Sequence, residues 1–126
     1  MSVTDWKVLV IEDEADSLEL VQGIFEHYGI DCMGVATAEQ ALSALETNTP
    51  TLIIIDLNLP GMDGWELLRH LKGNRQLVGV PRVAITAYHS AEVANQAIER
   101  GFDAYFAKPL DATSFVRELH GIVEGN

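Results

Sequence analysis

The sequence predicts a doubly wound α/β sandwich: a five-stranded parallel sheet with helices on both faces. Three observations lead there. Short apolar runs alternate strictly with stretches of helical periodicity, the rhythm a parallel sheet needs because each crossover must return the chain to the same edge. The chain has 126 residues, 48% of them hydrophobic, enough for one domain with a full core and too few for two ordinary ones. Finally, the polar residues of chemical interest fall just after predicted strands, where the loops of such a sheet build a site.

The first strand spans Lys7 to Ile11. A helix follows from about Ala15 to His27, with Leu18, Val21, Ile24, Phe25 and Tyr28 at helical spacing and Gly29 as its left-handed stop. The second strand covers about Asp31 to Val35. Thr37 with Gln40 reads as a capping box for a helix bearing Ala41, Leu42 and Leu45, which ends before Pro50. Leu52 to Ile55 form the third strand, and Asp63-Gly64 shapes the turn that starts the third helix. That helix runs from about Gly64 to Lys72, places Trp65, Leu68 and Leu71 on one face, and stops at Gly73-Asn74. Strand four is Arg82 to Ile85. Ser90 caps a helix that continues through Arg100 to the stop at Gly101, a short edge strand occupies Ala104 to Ala107, and Asp111 caps a last helix reaching about Val123.

Charge and cysteine content narrow the function classes. Lys and Arg total 8 against 19 Asp and Glu, a formal charge of −11 that repels phosphate backbones and anionic membranes. Direct nucleic-acid binding is therefore not expected. The single Cys32 forms no internal disulfide and reads as a small buried hydrophobe, which fits a reducing, cytoplasmic location. No apolar segment approaches the roughly 20 residues that span a bilayer, and the N-terminus lacks a secretion signal.

Asp56 carries the functional reading. It ends the apolar run Leu52-Ile53-Ile54-Ile55, and an ionised carboxylate behind so many aliphatic residues is expected to emerge where the strand reaches water. Glu12 and Asp13 follow the first strand, Thr86 the fourth and Lys108 the fifth. Alone, the acid pair could simply cap the first helix, Thr86 could be an ordinary strand-end hydroxyl and Lys108 a solvated charge. Together they gather at one sheet edge. Carboxylates so placed repel one another unless a cation joins them, and magnesium suits a few carboxylate or carbonyl oxygens completed by water, with Asp13 and Asp56 as direct ligands. Lys108 supplies a positive charge that pairs with Asp56 in the empty site and with a phosphoryl oxygen in the filled one, while Thr86 offers a hydroxyl to another such oxygen. These are the parts needed for phosphoryl transfer to a carboxylate, and Asp56, ionised at neutral pH, needs no general base.

At this point the residues match a family. Val10-Ile11-Glu12-Asp13-Glu14, Asp56-Leu57-Asn58-Leu59-Pro60-Gly61-Met62-Asp63-Gly64, Ile85-Thr86-Ala87 and Lys108-Pro109 together resemble the receiver domain of two-component response regulators, along nearly the whole chain. The resemblance implies the flavodoxin-like (βα)5 fold of CheY-like receivers, with strand order 2-1-3-4-5. It implies that Asp56 accepts a phosphoryl group from a phosphohistidine on a histidine kinase or histidine phosphotransfer protein. It also implies Mg2+ held by Asp13, Asp56 and the main-chain carbonyl of Asn58, with Glu12, in place of the aspartate many receivers carry, acting through water. Lys108-Pro109 is expected to be a cis peptide. The resemblance further couples Thr86 to Tyr105, whose ring swings inward as the hydroxyl moves toward the phosphoryl group. It places effector contacts on the face of the fourth helix, fifth strand and fifth helix, and leaves a homodimer open as a further partnership.

Other features have plainer readings. His27, His70, His89 and His120 lack ligand spacing and are read as structural. Asn58 and Tyr88, each two residues beyond a site residue, flank the approach of water to an acyl phosphate, so a bulky Tyr88 is expected to slow hydrolysis. The chain ends soon after the fifth helix, leaving no output domain within residues 1–126; it is either a stand-alone receiver or one excised from a longer regulator or hybrid kinase. The runner-up function is a magnesium-dependent phosphohydrolase forming a phospho-aspartate, but such enzymes typically carry an acid two residues after the nucleophile, where this chain has Asn58. A flavin or nucleotide carrier of similar topology would need a glycine-rich first turn where Glu12-Asp13-Glu14 stands.

Overall fold

The computed structural model describes residues 2–125. Five strands alternate with five helices: β1 (Lys7–Ile11), α1 (Ala15–His27), β2 (Asp31–Val35), α2 (Ala38–Leu45), β3 (Leu52–Asp56), α3 (Gly64–Lys72), β4 (Arg82–Thr86), α4 (Ala91–Arg100), β5 (Ala104–Ala107) and α5 (Ala112–Glu124). Two single 3₁₀ turns, Val3–Asp5 and Arg75–Leu77, precede β1 and β4. All strand pairs are parallel, in the order β2-β1-β3-β4-β5, so the predicted fold and strand order both hold.

The apolar run of β3 is explained by its central place in the sheet. Successive side chains of a strand point to opposite faces. Ile53 and Ile55 therefore join one core with Leu9, Ile11, Leu67, Leu68 and Leu71, whereas Leu52 and Ile54 join the other with Val8, Val10, Phe25, Phe115 and Leu119. The first core is covered by α2, α3 and α4, the second by α1 and α5. A strand covered on both faces reads as a continuous aliphatic run.

Local signals set the helix boundaries. Asp63, Ser90 and Asp111 accept the main-chain N–H groups of Glu66, Val93 and Ser114 at 2.9, 3.1 and 2.9 Å, and Gly29 and Gly101 adopt positive φ of 71° and 119° at helix ends. The Thr37 cap forms as predicted, accepting Gln40 N–H at 3.0 Å, but the box closes differently. The Gln40 side chain accepts the N–H of Ala36 at 2.8 Å, one residue before the cap, because the longer Gln arm satisfies the approaching strand instead. Strands β3 and β4 each run one residue further than predicted, taking Asp56 and Thr86 into the ladder opposite Ile85 and Ala107. Cys32 is half-buried rather than buried, since β2 is an edge strand; burial, with the charge of Asp31, pushes its thiol up to about 11 and keeps it protonated. Among the described residues no helix is long and apolar enough to cross a membrane.

Candidate phosphoacceptor site at the carboxyl edge of the sheet

The register that aligns the strands also aligns their ends. Asp56 is the last residue of β3 and Thr86 the last of β4, while Glu12-Asp13 and Lys108 directly follow β1 and β5. The main-chain N–H of Lys108 donates to the Thr86 carbonyl at 2.9 Å, and the Lys108–Pro109 peptide is cis, as expected.

Lys108 is the electrostatic centre. Its ammonium lies 2.8 Å from Asp56 Oδ2, pairs closely with Glu12 Oε1, and stands 3.4 Å from Ser17 Oγ. Three donors on an ammonium thus meet three oxygens. Ser17, on the first turn of α1, was missed in the sequence because a serine at an early helix position is an ordinary surface residue; only the tertiary fold brings the start of α1 to the lysine that follows β5. Burial lowers the tendency of Lys108 to stay charged, but Asp56 and Glu12 outweigh it and hold its pKa above the usual value.

Asp56 departs from expectation in one respect: it does not emerge into water but is 5% exposed. An ionised carboxylate tolerates this because its partners are built in. Burial pushes its pKa up, yet hydrogen bonds with Glu12 and Lys108 and the N–H of Asn58, 2.8 Å from Oδ1, bring the net value below the usual range. Glu12, 1% exposed, shifts the other way. Burial first, then its contact with Asp56, raises it to about 7 despite Lys108. Two acids sharing one lysine therefore shift in opposite directions, Glu12 upward and Asp56 downward. Glu12, Asp13 and Asp56 each bring a carboxylate oxygen within 4.8 Å of the others, with Asp13 exposed to solvent. An all-oxygen set open on one side fits a hard divalent cation that keeps part of its water shell. Neither Glu12 nor Asp13 caps α1; its N-cap is Glu14, which makes no side-chain cap bond.

Thr86 is 1% exposed, and its hydroxyl oxygen accepts two N–H groups: Asn58 Nδ2 at 2.9 Å and the main-chain N–H of Tyr88 at 3.0 Å. The Tyr88 ring is 73% exposed, so its main chain rather than its ring reaches the site. Tyr105 is half-buried against the α3–α4 core, and its hydroxyl meets His89 Nδ1 at 2.8 Å. His89 thus has a partner the sequence did not reveal, because the β4–α4 loop crosses to β5 only in three dimensions.

Fold and site together define a class, the receiver-type α/β domain with an acidic cluster facing a lysine at the carboxyl edge of its sheet. The sequence profile of the response regulator receiver domain matches residues 8–120. The chain is 30% identical over 105 residues to sporulation initiation phosphotransferase F of Bacillus subtilis, covering 83% of each chain. It is 31% identical over 116 residues to the phosphate regulon transcriptional regulatory protein PhoB of Pseudomonas aeruginosa, covering 92% of this chain and 51% of that one, so it spans about half the length of that relative. Among solved structures, a Francisella response regulator receiver domain superposes with a TM-score of 0.86 at 27% identity, covering 96% of this chain and 98% of the other. The chain belongs to the response regulator receiver domain family. Receivers are signalling modules of two-component systems, and the predicted family is thereby confirmed.

Proposed function

We propose that this domain stores a signal as a phosphoryl group on Asp56, received from a phosphohistidine of a histidine kinase or histidine phosphotransfer protein. One observation carries the reading: Asp56 is a buried yet ionised carboxylate with Lys108 Nζ at 2.8 Å, so a nucleophile and its charge-offsetting cation already stand side by side. In the transfer, an Asp56 oxygen forms the new O–P bond in line with the breaking P–N bond, and the electron pair of that bond stays on the departing imidazole. Lys108 shifts from the carboxylates to an equatorial phosphoryl oxygen, and the Thr86 hydroxyl moves toward another and donates to it. Asp13, Asp56 and the main-chain carbonyl of Asn58 are the residues that would hold Mg2+, Glu12 acting through water; the ion supplies positive charge against the phosphoryl oxygens.

The domain is thus a switch that catalyses only its own phosphorylation and dephosphorylation, working in the cytoplasm. Its effector surface is the face of α4, β5 and α5, reached from Thr86 through Tyr105. Hydrolysis of phosphate esters is disfavoured, because Asn58 occupies the position of a leaving-group acid and its amide is directed at Thr86.

The test is incubation with Mg2+ and acetyl phosphate followed by intact-mass measurement. A single phosphoryl adduct on the wild type and none on Asp56→Ala is expected. No adduct on the wild type, or an equal one on Asp56→Ala, would overturn the assignment.

A further inference from the structure

One residue touches both ends of the proposed switch. Asn58 donates its main-chain N–H to Asp56 Oδ1 at 2.8 Å and its side-chain amide to Thr86 Oγ1 at 2.9 Å. With the N–H of Tyr88 at 3.0 Å, both lone pairs of the Thr86 hydroxyl are occupied. Thr86 is buried, whereas Asn58 is exposed.

We infer that the Asn58 side chain is a latch that holds Thr86 in its resting position and sets how readily the switch is thrown. The inference rests on the reading of Asp56 as phosphoacceptor and Thr86 as the hydroxyl that answers it. Moving toward a phosphoryl group obliges the Thr86 oxygen to leave the Asn58 amide. That amide belongs to an exposed residue and can turn to water, so releasing the latch costs a single net hydrogen bond rather than a buried unpaired donor. The latch therefore biases the equilibrium toward rest without blocking it. Asn58 is a positioning residue, acting on the phosphoryl group through Thr86. Its main chain stays with Asp56 whatever its side chain is, so the latch is separable from the acceptor geometry.

The experiment is a double-mutant cycle on the full chain with Mg2+ and beryllofluoride, an unreactive mimic of the phosphoryl group. Calorimetry gives the apparent Kd for the wild type, Asn58→Ala, Thr86→Val and the double variant. Asn58→Ala is expected to tighten mimic binding by about three- to tenfold, the worth of one net hydrogen bond. In the Thr86→Val background the same change should alter it by less than about twofold. The Thr86 methyl resonance of mimic-free Asn58→Ala should also move toward its mimic-bound position. Unchanged or weaker binding by Asn58→Ala, or equal tightening with and without the Thr86 hydroxyl, overturns the latch. Failure of the wild type to take up a phosphoryl group on Asp56 overturns the underlying reading instead, and the mass measurement tells the two apart.

Discussion

Glu12 and Asp56 show how one lysine can serve two buried acids. With a single ammonium between them, full ionisation of both leaves net negative charge around two buried groups, and it is the pKa of Glu12, 1% exposed, that rises. The raised pKa of Glu12 has a consequence for stability. The native state holds this proton more tightly than the unfolded chain, so the stabilisation is complete below pH 4.5 and is lost as pH rises through about 7. Asp56 has the opposite sign: its lowered pKa contributes above its ordinary value and is lost in acid. In chelator-treated buffer, the wild type is expected to lose on the order of 2 kcal/mol over the Glu12 window, a decline that Glu12→Gln removes. Urea unfolding at a series of pH values measures this. The same slope in Glu12→Gln would assign it to another group.

Elements are positioned by close backbone approach as well as by caps. Gly64, the first residue of α3, sits where an added Cβ would lie 2.5 Å from the Asp56 carbonyl oxygen and 2.8 Å from Leu57 Cα. Neither can move without displacing the end of β3. Gly34 on β2 looks equally crowded, with Gln22 Nε2 at 2.6 Å and Leu18 Cδ1 at 2.7 Å, but both are tips of flexible side chains. Gly64→Ala should therefore cost about 2–3 kcal/mol and slow phosphorylation of Asp56, whereas Gly34→Ala should cost under about 1 kcal/mol and leave the rate alone. Chemical denaturation and acetyl phosphate kinetics on both variants check the contrast. Similar losses at the two positions would show that the approach of α3 to the end of β3 is not what matters. The glycine at position 64 was legible as a turn residue, but its contact with the end of β3 was not, because no spacing in the sequence encodes how closely a helix start approaches a strand end.

At the scale of the whole molecule, the two cores and the site depend on one sheet. The N-terminal turn is tied into it by Trp6, fully buried, stacked on His120 with ring centroids 6.1 Å apart and donating its indole N–H to Glu124 at 3.3 Å. On the other side Trp65 packs edge-on to Phe102 with Arg100 4.9 Å above its ring, joining α3 to α4. A ligand that joins strand-end carboxylates should therefore stabilise the entire fold. Magnesium at a hundredfold excess over its Kd is expected to add about 2.7 kcal/mol to unfolding, read as a raised thermal midpoint. Asp13→Asn should lose most of that rise. An equal rise in the variant would place the ion elsewhere.

The sequence by itself determined the fold class, the order of elements and the edge at which the site forms. These follow from local rules: apolar periodicity sets element type, caps and glycines set ends, and parallel crossovers put the residues after every strand on the same side. It also singled out Glu12, Asp13, Asp56, Thr86 and Lys108, since strand-end placement needs no knowledge of distances. Only the tertiary structure decided how those residues share charge and hydrogen bonds. The pairing of Lys108 with both Glu12 and Asp56, the approach of Ser17, and the Asn58 amide on Thr86 join residues 28 to 96 positions apart. Such contacts depend on ångström-scale positions of strand ends and on burial, quantities that packing of the entire chain sets and no local pattern records.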